Sequence, residues 1–345
     1  MPAADAPPLT LADLSPANFA IVMATGILSI AAHQQGHEGV AFALLAVNVV
    51  AWLAVSGLTA ARFFMHRARF LLDLRSHLRA PGFFTSVAGT GVLGGQCLVL
   101  GVGGRAAFVL AGVSAVLWVV LTYGIFTALT IEKDKPALDE GISGAWLLAV
   151  VATQTLAVLA ALIAARLAQP WRLALNFMGL SMWLFGGMLY VWLISLIFYR
   201  YVFLRFAPRD LAPTYWINMG AMAISTLGGS LLVLNMPQAP FLEALGPFLK
   251  GGTVLYWATG TWWIPLLALL AAWKYLHSRY PLSYEPVYWG AVFPLGMYSA
   301  ATHQMSLALG LDFLEPVARG FLYVAMAAWV LASAGLLRRV LGRFR

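Results

Sequence analysis

Residues 213–235 read PTYWINMGAMAISTLGGSLLVLN, 23 residues without one Asp, Glu, Lys or Arg. Proline opens the stretch, and the first turn of a helix is where its missing N–H costs nothing. The remainder is long enough to cross the roughly 30 Å hydrocarbon core of a bilayer as an α-helix. It lacks the period-two alternation of a half-buried strand, and an open sheet cannot sit in lipid. The glycine pair Gly228–Gly229 suits close helix approach or open space along an axis.

Working outward, nine further runs of the same kind occur, at roughly 15–32, 41–61, 81–100, 107–130, 141–161, 172–199, 251–273, 283–309 and 316–337. Hydrophobic residues make up 61% of the 345 and charged residues only 10%, against roughly 25% charged in soluble domains. No soluble fold of this length hides so much apolar side chain. The expected fold is therefore an all-α integral membrane protein of about ten transmembrane helices. It forms one domain over 15–340, between a tail at 1–14 and a short basic tail at 341–345. Residues 1–16 contain Asp5 and Asp13 but no Lys or Arg. That lacks the positive segment of a cleavable signal, so the first run is read as a retained helix.

The net charge of +8 is not a nucleic-acid signal, because the Lys and Arg sit between apolar runs and form no tract. Counted over alternate loops, 16 of the 21 fall on the side of both termini and 5 on the other. The excess includes Arg62, Arg67, Arg69, Arg75 and Arg79 after the second run. The positive-inside rule then places both termini in the cytoplasm and favours an even number of spans.

The runs also alternate in character. Each odd run begins with proline near an aromatic residue: Pro16 and Phe19, Pro81 and Phe83, Pro136 and Trp146, Pro213 and Trp216, Pro281 and Pro286 with Trp289. Ser, Thr, Asn and Gln number 23 in the 109 residues of the odd runs but 14 in the 118 of the even runs. This pattern predicts five helical hairpins around a central pore, with the odd helices inner and a neutral, hydroxyl-bearing path between them. Most Trp and Tyr are expected in interfacial belts.

No acidic residue lies well inside a span, and no Lys or Arg is placed there to trap an ion. That argues against a carboxylate proton relay, a cation site or an intramembrane hydrolase. The single Cys97 and the six histidines give no metal-site spacing. The reading is a transporter with no catalytic residues, no cofactor and no metal. His303 is the one histidine inside a span, and the one candidate coupling group for an alternative proton-coupled malate or sulfite carrier. Phe293 lies mid-span beside Pro294. Proline frees a backbone carbonyl and bends the helix, and a bulky ring at such a bend suits a narrow pore's plug.

Three strings carry a resemblance: SPANFAIVMATGIL at 15–28, APTYWINMGAMAISTLGG at 212–229 and YWGAVFPLGMYSAAT at 288–302. The chain resembles the tellurite-resistance and dicarboxylate transporter family, which includes bacterial TehA proteins, malate permeases, sulfite exporters and plant slow anion channels. The resemblance implies five hairpins around a pore in each protomer of a homotrimer in the plasma membrane, the inner membrane of a bacterium. It implies small inorganic or organic anions as substrates and Phe293 as the gate. Phe19 matches a pore-facing phenylalanine, and Thr25, Asn218, Pro294, Thr302 and His303 are neighbouring pore-lining candidates.

Overall fold

The computed structural model describes residues 10–281 and 285–341. The expected tails lie partly outside the described residues, at 1–9 and, with Arg343 and Arg345, at 342–345. Ten long helices follow one another: α1 Ala20–Gln34, α2 Glu38–Met65, α3 Phe84–Val99, α4 Gly104–Ile131, α5 Leu148–Ala164, α6 Trp171–Phe203, α7 Ile217–Asn235, α8 Gly246–Ala272, α9 Trp289–Leu309 and α10 Glu315–Leu341. Among the described residues, nine helical segments are long and apolar enough to cross a membrane. The helix outside that set is α9. It has 21 residues but dilutes its apolar content with Pro294, His303, Gln304 and small residues.

The odd helices are short, 15 to 21 residues, and the even ones run from 27 to 33. Burial separates them. In the apolar windows of α1, α3, α5 and α7, 72–89% of residues are buried, against 17–44% for the even helices. Each odd helix packs on the even helix that follows it, and α1, α3, α5, α7 and α9 touch in sequence, with α9 returning to α1. The result is a closed ring of five helices inside an outer set of five. Small residues permit the closeness. A methyl on Gly91 of α3 would sit 2.3 Å from Thr155 Cγ2 of α5, and one on Gly220 of α7 would sit 2.8 Å from Pro294 Cγ of α9.

A short 3-10 turn leads into each ring helix: Pro16–Phe19, Ala80–Phe83, Gly144–Leu147, Pro213–Trp216 and Pro286–Tyr288. Four of these turns carry proline in their first two positions. The third does not, and Pro136 lies upstream of it, packed on Gly141. Consecutive turns touch one another, so all five gather at one end of the ring. Gly144 is where two of them meet most tightly.

Three cations placed outside the spans by sequence are in fact buried at that end. Arg62 Nε donates to Ala12 O (3.0 Å), and Lys274 Nζ donates to Leu211 O (2.8 Å). Arg200 Nη1 donates to Ile142 O and to the Tyr215 hydroxyl. Each ties the end of an outer helix to the carbonyl ahead of its own partner's turn. The long stems of Lys and Arg let the charge reach inward from the end of a lipid-facing helix.

Tryptophan does the converse through the membrane. Trp52 of α2 donates to Thr90 Oγ1 of α3 (3.0 Å), Trp118 of α4 to Thr153 Oγ1 of α5 (2.9 Å) and Trp183 of α6 to Ser225 O of α7 (2.8 Å). Trp257 of α8 donates to Thr302 Oγ1 of α9 (3.0 Å), and Trp329 of α10 to Thr25 Oγ1 of α1 (2.9 Å). Each outer helix thus reaches past its own partner to the next ring helix, and the last reaches the first. These five indoles are straps between helices, not members of an interfacial belt. The reason is that an indole N–H in hydrocarbon needs an acceptor.

Three substitutions test this frame. A methyl on Gly144 would lie 2.6 Å from Thr214 O and 2.6 Å from Tyr215 Cα, both backbone, whereas one on Gly112 meets nothing within 4 Å. Gly144→Ala is expected to cost about 1–3 kcal/mol, the usual penalty of overpacking, and Gly112→Ala to be neutral in thermal unfolding of purified protein. Thr302→Val removes one strap's acceptor and is expected to lose about 1 kcal/mol by the same assay, typical of an interhelical hydrogen bond in a membrane.

Candidate functional site: the axis of the ring

Two small cavities lie inside the ring, and each takes residues from all five ring helices. The first, at the end where the turns gather, has a volume of about 30 Å³ and is lined by Ala20, Thr85, Leu148, Ile217 and Gly290. Each of these is the first or second residue of its α-helix. The positive ends of five helix dipoles therefore converge on one small space. Asn18, Thr214 and Pro286, from three of the 3-10 turns, also line it.

The field of the surroundings has the same sign. At the same end Arg200 is buried with no carboxylate in ion-pair contact among the described residues, Lys274 is buried within the field of Glu285, and Arg62 is paired with Asp73 at 2.6 Å. Arg200 also lies 5.5 Å from the Phe206 ring centroid. Outside the spans, Asp13 at this end is held below the usual carboxylate range, first by a hydrogen bond from Thr10 and then by the Arg69, Arg79 and Arg62 charges. Among the buried charged side chains at this end, three are cations, Arg62, Arg200 and Lys274, and one, Asp73, is an anion.

The second cavity occupies the other half of the ring. Its volume is about 40 Å³, and its walls include Ile27, Val92, Val158, Leu227 and Met297 with Gln34 and Gln304. One water needs roughly 10–15 Å³, so either space holds only a few waters. Phe293 lies on α9 three residues after Gly290 and four before Met297, hence one turn from each cavity, and it lines neither. Its ring is 1% exposed. Pro294 packs on Gly220 of α7. Proline cannot donate to the carbonyl of Gly290, so that turn of α9 is one hydrogen bond short beside the first cavity.

The other predicted positions fall elsewhere. Thr25 and Thr302 hold the straps from Trp329 and Trp257. Asn218 Nδ2 donates to the Tyr201 hydroxyl (3.4 Å) on α6, and its carbonyl accepts from Tyr190 (3.2 Å). Phe19 borders a separate cavity of about 310 Å³ between α2 and α4, with Phe63, Phe70 and Phe83. His303 Nδ1 is 2.9 Å from Glu315 Oε2 at the start of α10, and His303 is absent from the wall of either axial cavity.

The expected hydroxyl-lined path is not what the axis presents. Ring-helix hydroxyls are engaged with backbone: Thr155 with Val151 O, Ser225 with Ala221 O, Thr226 with Met222 O and Ser230 with Thr226 O. In lipid a hydroxyl without a partner is costly, so it bonds the nearest carbonyl one turn back. The axial wall is mostly aliphatic, with polarity concentrated at its two ends. Sequence reasoning missed the buried Arg200 and Lys274 because alternate-loop counting treats every Lys and Arg as solvated. The presence of at least one Trp in every even run was a readable sign of the straps.

The profile of the voltage-dependent anion channel family matches residues 13–337. An uncharacterized membrane protein of Mycobacterium tuberculosis is 37% identical over 152 residues, covering 44% of this chain and 77% of its own. Two uncharacterized transporters of Methanocaldococcus jannaschii are similar over nearly the full length. One is 26% identical over 92% of this chain and 90% of its own, the other 24% identical over 93% of both. With its apolar helices, burial pattern and basic end, this multi-pass membrane protein belongs to the voltage-dependent anion channel family, the group its own motifs resemble.

Proposed function

We propose that the protein is a passive conduit for small anions, one path per protomer, running through the ring and plugged at rest by Phe293. In this reading all ten long helices span the membrane as five hairpins, and α9 tolerates its low hydropathy because it sits within the ring. Both termini face the cytoplasm of a plasma membrane, in keeping with the basic end of the bundle, and the protomers associate as a homotrimer. The observation that carries the reading is the convergence of five helix N-termini on the axial cavity at the basic end. The field of converging helix dipoles attracts an anion without the fixed charge that would hold it, and conduction needs binding weak enough to release. Halides, nitrate, sulfite and C4-dicarboxylates all satisfy that chemistry. What supports Phe293 as the plug is its register on α9, between Gly290 of one cavity wall and Met297 of the other, and the bulk of its buried ring.

Anion flux into proteoliposomes tests this reading, comparing chloride, nitrate, malate and sulfite. Phe293→Ala is expected to raise flux at least about tenfold, the effect of lowering a barrier by about 1.4 kcal/mol, while keeping the order of preference among anions. Flux that saturates, depends on pH and is abolished by Phe293→Ala would instead identify a coupled carrier.

A further inference from the structure

The end of the ring away from the turns carries a repeat of its own. Residues 29–34 read SIAAHQ and residues 299–304 read SAATHQ. The first copy ends α1, the second lies in the second half of α9, and these two helices are neighbours in the ring. In a helix the Ser and His of this hexapeptide, four apart, share a face, and the Gln is turned about 100° from the His.

The structure uses both copies alike. Ser29 Oγ donates to Ala41 O (2.6 Å) and Ser299 Oγ to Ala318 O (2.7 Å), each on the outer helix that follows. His33 Nδ1 is 2.9 Å from Glu38 Oε2, and His303 Nδ1 is 2.9 Å from Glu315 Oε2. These ties hold one face of each copy outward and leave the glutamines facing in. Gln34 and Gln304 both line the second axial cavity, and Gln34 Nε2 donates to Gln304 Oε1 across 3.0 Å. Gln34 Oε1 is buried with no partner among the described residues. The one hydroxyl in that wall, Thr155, is engaged with Val151 O (2.8 Å).

We infer that Gln34 and Gln304 form an anion-coordinating clasp at this end of the path, for a small monovalent anion such as chloride or nitrate. Closed, amide bonds amide. Open, both Nε2 groups turn to the ion, since a half-turn of a terminal amide exchanges its oxygen for its nitrogen. An aliphatic wall cannot replace a hydration shell, so the two amides are the side-chain donors this cavity offers. Exchanging one amide–amide bond for amide–anion bonds makes the site shallow, as permeation requires.

The inference rests on the pore reading, and its test separates the two. The full-length Phe293→Ala protein in proteoliposomes is the reference, and Gln304→Glu or Gln34→Glu is added to it. Each preserves size and replaces a donor with a negative charge. Chloride and nitrate flux is expected to fall at least about tenfold in both, with monodisperse protein by size exclusion. Because the two changes lie on different helices, α1 and α9, loss in both reports the clasp rather than one helix's folding. Unchanged flux in both variants, on a Phe293→Ala protein that conducts, overturns the clasp alone. A Phe293→Ala protein that conducts no anion overturns the pore reading and the clasp with it.

Discussion

Everything in this molecule depends on bringing five helix N-termini together inside a membrane. Like dipole ends repel, and a bilayer offers no water to satisfy the free N–H groups at a helix start. The sequence meets both demands locally. A 3-10 turn leads into every ring helix and uses carbonyls of its own residues to occupy the first donors. Proline in four of the five removes a donor outright. Small residues such as Gly144 and Gly82 let the turns touch: a methyl on Gly82 would lie 3.0 Å from Ala17 N.

The outer helices hold this arrangement against that repulsion. At the basic end, Arg62, Arg200 and Lys274 bond carbonyls ahead of the turns. Deeper in, the five tryptophan straps link each outer helix to the next ring helix and close the circle from α10 to α1. The seam between α9 and α1, where the last pair meets the first, receives additional bonds from Gln34 to Gln304 and from Gln35 to Ser299. Positive charge is thereby fixed at the end of the ring where the turns gather, and none of the three cations lines an axial cavity. That arrangement suits an anion in transit better than one held.

Much of the architecture was legible because lipid simplifies the code. Run length separates spans, Lys and Arg mark one side, and the proline openings at Pro16, Pro81, Pro213 and Pro286 identify the ring helices. Pro136 misled because the turn into α5 is made by Gly144–Leu147 with no proline. The site was less legible. Polar residues in the odd runs suggested a hydroxyl-lined path, but composition does not say which way a hydroxyl points, and in hydrocarbon most point to a backbone carbonyl or an indole. Thr25 and Thr302 are examples. Arg200 and Lys274 were hidden by the counting rule that gave the orientation. The SIAAHQ and SAATHQ copies were visible as letters, yet only the bonds from Ser29, Ser299, His33 and His303 give their shared geometry a meaning.

The central claim is that the ring's interior favours anions through converging helix dipoles and buried cations. The reversal potential of the unplugged protein in a planar bilayer under a potassium chloride gradient tests it most directly. The account predicts a reversal potential close to the chloride equilibrium potential. A reversal potential near the potassium equilibrium potential would contradict it.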